Sequence, residues 1–91
     1  MHPDLKTRRR LLVLASQGYA RADAAWMAGL NEAAKLIPGV IGHGYWAIGN
    51  PGSRIRQLYE QREHALERLA VTRLKLQIAK DRLRMRQHLL D

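Results

Sequence analysis

The side chains that could carry chemistry are few and widely separated. His2, His43, His64 and His88 share no i,i+3 or i,i+4 spacing, so no two of them would stand together on a helix as metal ligands. Asp4, Asp23, Asp81 and Asp91 are too scattered for paired general acid and base work. Glu60 and Glu63 could reach His64 on a helix surface, but solvated charge pairing accounts for that spacing. Gly44 and Gly49 are spaced like glycines of a phosphate-binding loop; the Lys and Ser/Thr that follow in such a loop are missing, and no strand precedes it. No serine sits in a nucleophile-elbow setting. The absence of cysteine excludes disulfides and thiolate metal sites. These residues predict no enzyme, no metal site and no cofactor.

The stronger signal is charge. Sixteen Lys and Arg against eight Asp and Glu give a net charge of +8. Such a balance favours a polyanionic partner, whether nucleic acid, an anionic membrane surface or an acidic protein. The same charge would also serve a protein whose basic helix faces merely keep it soluble. Eight of the basic residues fall in two runs, Lys6, Arg8, Arg9 and Arg10, and Lys80, Arg82, Arg84 and Arg86. If the chain doubles back near residue 45, the runs meet at one end as an anion-binding or nucleic-acid-binding patch, opposed only by Asp4, Asp81 and Asp91. Arg82 and Arg86 share a helical face and Arg84 does not, so part of that cluster must point elsewhere.

The elements that would position these runs are helical. A chain of 91 residues makes a single domain, 1–91, near the lower limit for burying its own core. Residues 54–90 contain neither Gly nor Pro and are rich in good helix formers, with Ser53 as a natural N-cap. Sevens counted from Ile55 collect Leu69, Leu76, Leu83 and Leu90 with Arg62, while the companion position holds Leu58, Ala65, Thr72, Ala79 and Arg86. This heptad seam predicts one long helix, roughly 55 Å at 1.5 Å per residue. Residues 4–37 predict a second helical segment, with Leu12, Tyr19, Trp26 and Ala33 at one seam position and Ala15, Ala22, Gly29 and Leu36 at the other. Gly18 and Gly29 would be either seam glycines or breaks.

Between the two lies residues 38–53, a connection that is apolar where loops are usually polar; "IPGVIGHGYWAIGNPG" holds five of the seven glycines and no charged residue. The predicted fold is therefore all-α, a helical hairpin with a long C-terminal helix. Beyond its seam, that helix carries Val71, Leu74, Ile78, Met85 and Leu89. A hairpin buries one stripe, so a second stripe predicts self-association into a dimer or small bundle, or docking on another protein. Tyr45 and Trp46, in the connection, either close the end of a thin core or form a partner contact at the tip.

Residues 21–37, "RADAAWMAGLNEAAKLI", resemble the helix-turn-helix motif of DNA-binding proteins. Ala25 matches the small residue of that motif's first helix, Gly29 its turn, Leu30 the apolar residue after it, and Asn31 a cap for the recognition helix. The resemblance implies a dimeric DNA-binding regulator whose C-terminal helix is the dimerisation arm. Lys35 departs from the pattern, standing where the family buries an aliphatic residue, and Pro38 would end the recognition helix after about two turns.

A membrane span fits poorly. From Ala24 to Gly49 the charges Glu32 and Lys35 sit mid-stretch, and Pro38 and the glycines interrupt any continuous helix. Contact of Tyr45 and Trp46 with a membrane surface is the weaker alternative. The apolar run Leu11 to Leu14 is too short for a signal-peptide core, so a cytoplasmic location is expected. The leading functional expectation is a non-enzymatic interaction protein that binds a macromolecular partner through Tyr45 and Trp46, through Val71, Leu74, Ile78 and Met85, or through both. A small adaptor, an assembly subunit or a phage-type host-factor inhibitor would all have this sequence character.

Overall fold

The computed structural model describes the backbone of residues 3–36 and 47–90 and the side chains of residues 5–36 and 47–89. Helix α1 spans Pro3–Leu36 and helix α2 spans Arg54–Leu90, and the two pack against each other as a hairpin. The molecule is a rod of 66 × 20 × 19 Å. Among the described residues no helix is long and apolar enough to cross a membrane.

The start of α2 follows from its local sequence. Asn50-Pro51-Gly52-Ser53 closes a turn in which the Ser53 amide donates to the Asn50 carbonyl at 3.0 Å. Gly52 takes φ +81°, the left-handed value that the third residue of a type II turn requires, while Pro51 supplies the fixed negative φ before it. Ser53 then caps the helix, its Oγ accepting from the Arg56 amide at 3.1 Å. Gly49 is also left-handed, at φ +80°, and a Cβ there would lie 2.9 Å from the Arg56 nitrogen. The Arg56 guanidinium reaches back to the Gly49 carbonyl at 3.1 Å, so the turn is tied to the first turn of the helix it launches.

The seam of α2 is the one its heptads predict as far as Leu83; beyond it Arg86 is exposed, and the Leu90 side chain lies outside the described residues. Leu58, Leu69 and Leu76 are buried, while Ile55, Arg62, Ala65, Thr72, Ala79 and Leu83 are half-buried on the same face. On α1 the matching face is Leu5, Arg8, Leu12, Ala15, Tyr19, Ala22, Trp26, Gly29 and Ala33, with Ala15 buried. At its C-terminal end α1 departs from the sevens: Leu36 is 78 % exposed and Leu30 is buried in its place. An α-helix repeats every 3.6 residues, so a strict count of sevens drifts about 20° per heptad and after three heptads points beside the partner. Gly18 and Gly29 are not breaks, since α1 runs through both. Only Gly29 serves the seam, because a Cβ there would stand 2.6 Å from Leu58 Cδ1, whereas one at Gly18 would meet nothing within 4 Å.

Arg62, a charge in the middle of the seam, is accommodated by α1. Its Nε donates to Asp23 Oδ1 at 2.7 Å, one terminal nitrogen to Tyr19 Oη at 2.9 Å and the other to Glu63 Oε1 at 3.0 Å. The guanidinium carbon lies 5.4 Å from the Tyr19 ring centre and 5.0 Å from that of Trp26. Trp26 meets Tyr59 edge-on at 6.2 Å and donates its indole N–H to the Ala47 carbonyl at 2.9 Å. The Asp23 hydrogen bond, supported by attraction to the Tyr19 oxygen and to the Asp23 and Glu63 carboxylates, outweighs desolvation and holds the Arg62 guanidinium above its ordinary pKa. A charge that would be costly alone is here bonded on three sides and stacked on two aromatic rings.

Candidate interaction surfaces

Among the described residues the outer face of α2 and a groove between the helices lie open, and they meet along Ile78, Arg82, Met85 and Arg86. The first is the outer face of α2. Val71, Leu74, Ile78, Met85 and Leu89 are 48, 60, 40, 64 and 80 % exposed. Val71, Ile78 and Met85 are seven residues apart and Leu74 sits one turn from two of them, so they form one stripe. At about 100° per residue the stripe faces almost directly away from Leu58, Leu69 and Leu76. Toward the start of α2 the same two rows continue as Glu60, His64 and Glu67, all exposed. Asp81 interrupts the apolar rows and is itself engaged, accepting from Gln77 Nε2 at 3.0 Å and pairing with Arg84 at 3.9 Å.

The second surface is a groove between the helices at their open end. A cavity of about 440 Å³ has Leu5, Leu11, Ala79 and Leu83 as its apolar part and Arg8, Arg82 and Arg86 as its charged part. A neighbouring cavity of about 230 Å³ shares Arg8 and Leu11 and adds Leu14, Thr72, Arg68 and Lys75. The described residues lining the two cavities include no carboxylate. The groove arises because the seam there combines Ala79 with long arginines, whose stems pack while their heads seek water.

The eight basic residues singled out from the sequence divide on this structure. Arg8, Arg82 and Arg86 line the groove together, bringing one residue of the first run to two of the second. Lys6, Arg9 and Arg10 are exposed and do not line it; Lys80 is half-buried, and Arg84 turns toward Asp81. Arg68 and Lys75 were not legible as part of this set, since they lie outside both runs. Their signal was the spacing of seven from Arg68 through Lys75 to Arg82. Tyr45 and Trp46 lie outside the described residues. Residues 21–36 form part of one continuous helix in which Gly29 sits mid-helix.

Among the described residues no three His, Asp or Glu side chains could hold one metal ion. No protein family, curated protein or solved structure matches this chain.

Proposed function

We propose that the protein is a non-enzymatic interaction protein whose hairpins self-associate through the outer face of α2 and present the remaining surface to a macromolecular partner. The observation that carries this reading is the stripe of Val71, Leu74, Ile78, Met85 and Leu89, an apolar face that no element among the described residues covers. Among the described residues the internal core is thin, with Ala15, Leu30, Leu58, Leu69 and Leu76 its buried apolar side chains. Burial of the stripe by a second copy would add what the hairpin lacks.

Sedimentation equilibrium tests this reading. The wild-type chain is expected to sediment above its monomer mass at micromolar concentration, and Leu74→Ser with Ile78→Ser to sediment as a monomer of lower thermal stability. A wild-type chain that is monomeric at 100 µM and fully folded would refute it.

A further inference from the structure

We infer that the groove between the open ends of α1 and α2 is a docking site for an acidic amphipathic α-helix. The inference deepens the interaction reading by naming the partner's chemistry, and the groove adjoins the self-association stripe, since Arg82 and Arg86 also line a cavity with Ile78, Asp81 and Met85. Three features of the groove point the same way. Its charge is of one sign, supplied by Arg8, Arg68, Lys75, Arg82 and Arg86, with no carboxylate among the described residues that line it. Its floor is aliphatic rather than aromatic, and both helices contribute to it. Its basic residues are regularly spaced: Arg68, Lys75 and Arg82 follow each other at seven residues on one straight helix, about 10.5 Å per step.

An α-helix with a carboxylate every seventh residue has the same 10.5 Å step, so its acids would meet Arg68, Lys75 and Arg82 in register. The apolar side chains of that helix, at i, i+3, i+4 and i+7, would fill the space over Leu11 and Leu83. Nucleic acid fits less well. Grooves that hold single strands offer aromatic platforms for the bases, which this floor lacks. The floor would also leave aliphatic surface against a charged backbone.

The test is fluorescence anisotropy on the full chain with labelled probes. One probe is a 21-residue helical peptide bearing Leu at the i, i+3 and i+7 positions and Glu at every seventh position beside them. A second has Lys for each Glu, and a third is a 20-base-pair DNA duplex. Expected is micromolar binding of the Glu peptide at moderate salt, no binding of the Lys peptide, and weaker binding of the duplex. Lys75→Glu with Arg82→Glu, both exposed positions whose helicity circular dichroism would verify, should weaken the Glu peptide at least tenfold and create binding of the Lys peptide. Val71→Ser with Leu74→Ser, two stripe positions that line neither the groove nor the cavity beside it, should leave Glu-peptide affinity within twofold even where it abolishes self-association. That separates failure of the groove from failure of the stripe. The inference is overturned if the duplex binds more tightly than the Glu peptide, if charge reversal leaves peptide affinity unchanged, or if the stripe variant alone removes it.

Discussion

Near the connection between the helices, Trp26, Tyr59 and Arg62 interlock across the seam, and Gly29 lets α1 settle onto Leu58. At the opposite end, Leu5, Leu11 and Leu83 face each other over a cavity of about 440 Å³. The same pair of helices, carrying the same heptad repeat, is close-packed in one half and gapes in the other. The difference comes from side-chain volume and polarity. In the closed half, large rings fill the space between backbones, and every hydrogen-bonding group drawn into the seam finds a partner. In the open half, small Ala79 and long, solvent-seeking arginines share the seam, so the helices touch without filling the space between them. A periodic apolar pattern is enough to pair two helices, whereas tight packing needs volumes that match at each level.

The largest expected effect contrasts the two halves directly. Leu58→Ala should destabilise the fold by about 3 kcal/mol, because it empties a buried site roofed by Gly29. Leu83→Ala, beside a cavity that already exists, should cost only about 1 kcal/mol. Urea unfolding at one fixed protein concentration measures both. Equal losses would mean that the open end is as well packed in solution as the closed end.

Arg62→Ala comes next, at about 2 kcal/mol, since it removes the bonds to Asp23 and Tyr19 and both ring contacts while leaving Asp23 without its cation. Asp23→Asn tests the electrostatic share of that figure and should cost about half as much. A loss below 0.5 kcal/mol for Arg62→Ala would reduce this node to ordinary surface pairing.

The smallest effects, and the ones of opposite sign, concern the two helical glycines. Gly18→Ala should stabilise by about 0.5–1 kcal/mol, because the added methyl meets open space and the helix gains propensity. Gly29→Ala gains the same propensity but drives Cβ to 2.6 Å from Leu58 Cδ1, so thermal melting should show it no more stable than wild type. If both substitutions stabilise equally, the closed half is looser than its geometry indicates.

Much of this architecture was legible without coordinates. The Gly- and Pro-free stretch from 54 to 90, the Ser53 cap and the heptads through Leu58, Leu69 and Leu76 specify α2, because helix propensity, capping and period-seven burial are local properties of the chain. The outer stripe was legible for the same reason, since residues seven apart share a face whatever packs around them. The resemblance of residues 21–37 to a helix-turn-helix was carried by Ala25, Gly29, Leu30 and Asn31. Glycine is equally suited to a turn and to close helix packing, and its neighbours in sequence do not say which applies.

The tertiary structure decided the pairings between helices. That Arg62 would meet Asp23 and stand between Tyr19 and Trp26 could not be read from either segment alone, because it depends on the relative register of α1 and α2, a sum of many weak contacts. The same register brings Arg8 to Arg82 and Arg86 and leaves Arg9, Arg10 and Arg84 on other faces, so it selects the basic residues that share one groove. Sequence by itself determined which residues form helices and which faces of them are apolar, through local propensity and period. Which charges face one another, and where the helices close or part, was decided by packing between residues about thirty to eighty positions apart.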